Sequence, residues 1–290
     1  MQEFLNYLKY EKKYSDYTIL NYKLDINKLN DYLGINNYDY KNLDYDKVNE
    51  FIIFLKKSLS SNSINRVLSS CRTYYNYLEK KKRVNNNPFK LVNSLKKDKM
   101  LPNYFKYNDF VSMIDSIDTT KPLGVRNRAL LELLLATGAR VSEIESIKLC
   151  DIDLNNKEIK VLGKGNKERI VYINNHAKEA LEDYINGARN ILNKSKCDYL
   201  FINHIGTKLT DRGIRDIING IIKKSCLNLK ISPHTFRHSF ATMLLNEGCD
   251  LKSVQELLGH VNLSTTSIYT HVTNEQIKNV YLHTHPRSRE

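Results

Sequence analysis

The sequence predicts a mainly helical chain in two domains, the second carrying a small antiparallel β-sheet. Three observations predict this. Apolar residues recur at three- and four-residue spacing from the N-terminus to Leu78. From Lys80 to Pro102 that periodicity lapses into a Lys/Arg run, an Asn run and Pro88. Beyond it the helical pattern returns and is interrupted by two β-rich segments, Glu158 to Leu162 and Glu168 to Ile173, flanking Gly163-Lys164-Gly165-Asn166.

In chain order, Phe4, Leu5 and Leu8 form a short apolar stripe. Ser15 is placed to cap a second helix with Ile19, Tyr22, Ile26, Leu29 and Leu33 on one face, ended by Gly34. Val48, Phe51, Ile52 and Leu55 mark a third helix. Ser61 or Asn62 opens a fourth, carrying Ile64, Val67, Leu68, Cys71, Tyr75 and Leu78. Lys12, Lys13, Lys23, Lys28, Lys56, Lys57, Arg66 and Arg72 fall on the polar faces, which either meet solvent or face a polyanion. The expected division is a helical domain over 1–86, a basic linker over 87–104 and a second domain over 105–290.

The second domain opens with a helix near Tyr107 to Ile117. An apolar helix from Arg126 to Ala136 follows and stops at Thr137-Gly138, with Glu132 interrupting its apolar run. Arg140 lies between that stop and a helix opened near Ser142, in ATGARVSE. After the hairpin come a helix from about His176 to Leu192, a short strand Tyr199 to Ile202 and a helix capped by Thr210. Ser232-Pro233 starts another helix, with a capping side chain and proline at the first helical position. His234 and Arg237 are i and i+3 on it, on one face at the positive end of the helix dipole, a good place to meet a phosphate. Gly248 closes it, Asp250 caps the next, and Gly259-His260 ends that one. Tyr269 falls on a short helix after it, and Asn274 to His283 forms a last helix with Ile277, Val280 and Tyr281 apolar.

The composition narrows the partners. Lys and Arg total 45 against 32 Asp and Glu, a net charge of +13, which points to nucleic acid before a membrane surface. Five scattered cysteines with no CxxC pair argue against a zinc site or disulfide framework and fit a reducing cytoplasm. The N-terminus has no apolar signal region, and no apolar run is long enough to span a bilayer. The hairpin glycines do not make a nucleotide site, because GxxxxGK[ST] is absent.

Arg140, Lys164, His234, Arg237, His260 and Tyr269 stand in this order along the second domain, within ATGARVSE, GKGNKER, SPHTFRHSFAT, LLGH and STTSIYTHV. None is specific alone, and Tyr269 is one of 19 tyrosines. Together they make the chain resemble the tyrosine recombinase (phage integrase) family over essentially its whole length, most closely the bacterial Xer group. The motifs are specific in the second domain and diffuse in the first, where only the helical layout matches.

The resemblance implies a helical, SAM-like core-binding domain that clamps DNA, and a mixed α+β catalytic domain. It implies that Tyr269 attacks a DNA phosphodiester to give a 3′-phosphotyrosyl link and a free 5′-hydroxyl, conserving the bond energy without ATP, metal or cofactor. Arg140 and Arg237 would hold the phosphate oxygens, Lys164 would protonate the leaving 5′-oxygen, and His234 would accept the tyrosine proton. His260 would position the phosphate, and His238 is read as structural. Lys167, the second lysine of GKGNKER, is read as a backbone contact or solvent-exposed. The implied partners are double-stranded DNA, a tetramer with a second recombinase or further copies of the chain, and a DNA translocase. A C-terminal helix carrying Ile277, Val280 and Tyr281 would exchange between subunits or pack in cis. The implied role is chromosome dimer resolution at cell division. Alternatives are a mobile-element integrase, disfavoured by the lack of room for an arm-binding domain, a type IB topoisomerase, and a DNA binder without catalysis.

Overall fold

In a computed structural model the described residues are 1–96, 104–163, 167–225, 227, 231–259 and 274–288. The chain divides into two compact units, Met1–Met100 and Leu101–Glu290. No helix among the described residues is long and apolar enough to cross a membrane.

The first unit contains α1 (Gln2–Asn6), which continues as a π turn over Tyr7–Glu11, then α2 (Asp16–Ile35), α3 (Tyr45–Lys56) and α4 (Ser61–Lys80). Ser15 caps α2 by accepting the Thr18 N–H at 3.3 Å, and Asp44 caps α3 through the Lys47 N–H at 2.9 Å. Gly34 does not end α2. The helix runs to Ile35, and the left-handed residue that reverses the chain is Asn37, at φ 55°. The expected stripes form the core: Phe4, Leu8, Leu29, Phe51, Val67 and Cys71 are at or near zero exposure. Each fully buried large apolar side chain contributes about 1.5–3 kcal/mol to folding.

Residues assigned to the linker from position 87 pack on this unit instead. Phe89 is fully buried with its ring 5.0 Å from that of Tyr75. Arg72 donates to the carbonyls of Phe89 and Val92, each at 3.0 Å, and Asn65 exchanges two hydrogen bonds with the Leu95 backbone. One buried phenylalanine makes no periodicity, so the sequence pattern missed it. Arg72, expected on a polar face, is therefore occupied holding this segment. Arg66 is half exposed, and its guanidinium is tied at 2.8 Å to Asp25, which is fully buried and also accepts from the Ser70 hydroxyl.

The second unit contains α5 (Tyr107–Asp115), α6 (Pro122–Thr137), α7 (Val141–Ser146), β1 (Ile152–Asp153), β2 (Glu158–Leu162), β3 (Glu168–Tyr172), α8 (Asn175–Asp183), α9 (Arg189–Leu192), α10 (Asp211–Lys224), α11 (Pro233–Asn246), α12 (Leu251–Leu258) and α13 (Asn274–Thr284). A π turn over Tyr184–Ala188 joins α8 and α9, so the single helix expected from His176 to Leu192 is one run with a bulge in it. Helix α6 is the buried axis: Ala129 through Thr137 are all buried, and α8 and α11 pack against it. The sheet is antiparallel in the order β1-β2-β3, with Ile159 opposite Val171. The hairpin is as expected, and β1 adds a third strand too short to register in the sequence. The strand expected from Tyr199 to Ile202 does not form; only isolated bridges, Lys148 to Tyr199 and Ile202 to Lys208, occur there. Buried Arg189 takes the carbonyls of Tyr199 and Leu200, so those groups are satisfied without a partner strand.

The C-terminal residues pack on their own chain. Tyr281 on α13 is buried beside Tyr172, and Ile277 and Val280 join the same cluster with Phe240, Leu244 and Leu257. A 3₁₀ turn over Pro286–Ser288 then inserts Arg287, which donates to buried Glu132 at 2.8 Å. Glu132, which interrupts the apolar run in the sequence, is thus an internal ion-pair partner.

His285 is buried with Nε2 3.3 Å from the Leu135 carbonyl, while the Asn174 amide and the Arg287 N–H both approach Nδ1 at 3.3 Å. Burial pushes its pKa down to about 4 from 6.5, and the neighbouring Arg287 charge adds to the shift.

Two predictions follow from this tail. Arg287→Ala removes the guanidinium from the buried Glu132 carboxylate and lowers unfolding free energy by about 3 kcal/mol; adding Glu132→Gln recovers most of it. Urea unfolding of the single and double variants checks this. For His285, the unfolded chain binds the proton more tightly than the folded one. Stability therefore falls as pH drops from about 6.5 towards about 4, by up to ~3 kcal/mol from this group. His285→Gln flattens that part of the stability–pH curve, measured by urea unfolding at several pH values.

Candidate active site

The site begins where α6 stops. Gly138 is left-handed at φ 55°, and a Cβ there would stand 2.5 Å from Cδ1 of Phe240, so only glycine allows α11 to approach this turn. Two residues on, Arg140 is the N-cap position of α7. Its N–H donates to Glu143 Oε2 at 2.7 Å and its guanidinium to Oε1 at 2.9 Å. The Arg140 side chain keeps 35% of its surface exposed, whereas that of Glu143 keeps 1%.

Glu143 is shared. Arg169, the second residue of β3, donates Nη2 to Glu143 Oε2 at 3.0 Å and Nη1 to the Leu257 carbonyl at the end of α12. Burial works against the Glu143 charge. The nearby Arg169 charge, the Arg140 N–H and the Arg140 charge outweigh it and hold the carboxyl below its usual range.

Arg237 enters from α11. Ser232 caps this helix through the Thr235 N–H at 3.3 Å, with Pro233 at its first position, as the sequence predicts. Its guanidinium donates to the Gly138 carbonyl at 2.9 Å and the Leu258 carbonyl at 2.7 Å. Among the described residues it makes no ion pair. Burial, then the like charges of Arg140 and Arg169, pull its pKa down to about 10, still charged at neutral pH. Three neighbouring arginines, with one buried carboxylate between them among the described residues, leave excess positive charge. That is the electrostatic signature of a site built for an anion.

His234 is exposed one turn before Arg237 on the same helix. His238 is also exposed, with its ring edge-on to Tyr104 at 6.4 Å. Of the expected set, the structure brings together Arg140 and Arg237, with His234 on the same helix as Arg237. Lys164, His260 and Tyr269 lie outside the described residues. Gly163 and Gly259, the residues before Lys164 and His260, are described. A Cβ on Gly163 would stand 3.6 Å from Glu143 Oε1, and Gly259, at φ 66°, lets its backbone meet the Arg169 side chain. Glu143 and Arg169 were not singled out in the sequence. The available signal for Glu143 was its place three residues after Arg140 at a helix start, where a carboxylate caps the chain. Arg169 gave none, because its partners lie 26 and 88 residues away.

This is a helical and small-sheet framework whose second unit gathers Arg140, Arg169 and Arg237 around one buried carboxylate. Two family models match the chain. Residues 1–82 match the model for the phage integrase N-terminal SAM-like domain, and residues 103–276 match the phage integrase family. The chain belongs to the phage integrase family, the tyrosine recombinases. It is 45% identical to the tyrosine recombinase XerC of Anoxybacillus flavithermus, over 98% of this chain and 97% of the relative. It is 43% identical to the XerC of Bacillus subtilis, over 98% and 95%. Among solved structures it resembles the XerH site-specific recombinase bound to palindromic difH substrate in a post-cleavage complex. That match has a TM-score of 0.73 and 26% identity, covering 93% of this chain and 77% of the other.

The anion site predicts a measurable ligand effect. At about ten times its dissociation constant, inorganic sulfate stabilises the protein by about 1.4 kcal/mol through this site. Thermal unfolding in sulfate against chloride at matched ionic strength shows a larger rise for the unmodified chain than for Arg237→Met. Equal rises would mean that no anion binds there.

Proposed function

We propose that this protein is a site-specific recombinase that cuts and rejoins DNA through a tyrosyl intermediate. The observation that carries the reading is the cationic site at Arg140 and Arg237. Arg237 is half-buried against backbone carbonyls without an acidic partner of its own among the described residues. A phosphodiester supplies the missing negative charge. It gains more charge in the pentavalent transition state, so fixed guanidinium groups stabilise that state more than the substrate.

In this reading Tyr269 is the nucleophile. Its hydroxyl attacks phosphorus, its proton passes to His234, and the P–O5′ bond breaks as Lys164 protonates the leaving oxygen. The free phenol has a pKa of ~10, so a base is needed at neutral pH. Arg140 and Arg237 grip the non-bridging oxygens, and His260 helps position them. The strand end remains attached to Tyr269 until another 5′-hydroxyl displaces it.

The likeness to XerC proteins over nearly the full length of both chains favours resolution of chromosome dimers at cell division, in the cytoplasm, over integration of a mobile element. The likeness to XerH on difH supports duplex DNA as the substrate. The working assembly is a tetramer on DNA, formed with a second recombinase or with further copies of this chain and activated by a DNA translocase.

A nicked duplex carrying a candidate recombination site tests this, because cleavage beside the nick releases a short fragment and traps the covalent complex. On denaturing gels the unmodified protein gives a protein–DNA band and Tyr269→Phe gives none. Arg140→Ala and Arg237→Ala each slow its formation by about 100- to 1,000-fold. DNA binding with no covalent band, alone or with a partner recombinase, would overturn the reading.

A further inference from the structure

Arg169 ties three motif-bearing segments of the second unit together. It belongs to β3, the second strand of the β2–β3 hairpin. One arm of its guanidinium reaches Glu143, which in turn holds both the N–H and the guanidinium of Arg140. The other arm reaches the Leu257 carbonyl at the end of α12. Its stem lies against Gly259, the residue before His260. A Cβ on Gly259 would stand 2.8 Å from Arg169 Cδ and 2.9 Å from Nε, and its φ of 66° also favours glycine.

Arg169 is poorly placed to hold phosphate itself. Its side chain is 17% exposed, and both ends of its fork are committed within the protein. Its chemistry suits bracing. A planar guanidinium spans a carboxylate and a carbonyl at a fixed separation, which a single ammonium does not. Lys164 lies in sequence between β2 and β3, so a brace on β3 fixes the base of that hairpin relative to Arg140.

We infer that Arg169 is a positioning residue: its fork between Glu143 and the end of α12 locks the Lys164 hairpin in register with the Arg140–Arg237 phosphate site. The inference rests on the recombinase reading and on Lys164 as the general acid. Loss of Arg169 therefore impairs leaving-group protonation more than phosphate binding.

The test measures single-turnover covalent-complex formation on nicked duplexes carrying either oxygen or sulfur at the scissile 5′-bridging position. A thiolate leaves without being protonated, so sulfur removes the need for the general acid. Arg169→Met is expected to be slowed about 100-fold on the oxygen substrate, the cost of displacing a reacting group by about 1 Å. DNA affinity stays close to that of the unmodified protein. On the sulfur substrate most of that deficit disappears, as it does for Lys164→Ala. Arg169→Lys, which keeps the charge and preserves the fold best, shows the same selective rescue, and so does Gly259→Ala, which crowds the Arg169 stem.

Equal deficits on the two substrates for Arg169→Met and Arg169→Lys would overturn the inference. So would full activity of Arg169→Lys on oxygen. A Lys164→Ala variant that sulfur fails to rescue would instead overturn the assignment of Lys164, and the inference with it.

Discussion

The second unit turns on a single buried carboxylate. Glu143 is almost without solvent and accepts from Arg140 and Arg169. An isolated carboxylate in such a place would cost several kcal/mol, so it persists only because its oxygens are occupied by charged donors. In return it lets arginines stand close together. Arg140 and Arg169 share its charge, while Arg237, bound to carbonyls, is left with a surplus. The site is therefore positive by construction. The left-handed glycines at 138 and 259 permit the close approaches that bring α11, α12 and β3 to one point.

Elsewhere the net positive charge is a poor guide to where the binding surface lies. Arg72 fastens the segment after α4, Arg189 replaces a strand pairing, Arg126 reaches the Ile202 carbonyl, and Arg287 pins the C-terminal turn to Glu132. Each places several donors of a planar group on acceptors of its own chain, which a lysine does less well. A count of basic residues registers all of these as potential contacts with a polyanion. The structure shows several of them working as internal cross-links.

The C-terminal segment shows how one stretch can be held strongly in cis. Tyr281 sits in an apolar cluster, His285 is neutral between a carbonyl and two N–H donors, and Arg287 completes an internal ion pair. These contacts require the segment to lie on its own chain here. A helix that leaves this position must replace an apolar surface and a buried charge partner together.

By itself the sequence determined the helical stripes of the first unit, the capped starts of α2 and α11, the β2–β3 hairpin and the order of the six candidate site residues. These are local signals: periodicity, a capping serine, a proline at a first helical turn and a glycine-rich turn are written within a few neighbouring residues. Tertiary structure alone decided the rest. Glu143 became a hub because α7, β3 and the end of α12 converge on it. Phe89 became core because α4 offered it Tyr75, and Glu132 found Arg287 155 residues away. The strand expected at Tyr199 gave way to an arginine's hydrogen bonds. Pairings between distant residues leave no periodic trace, since each depends on where the chain returns rather than on its immediate neighbours.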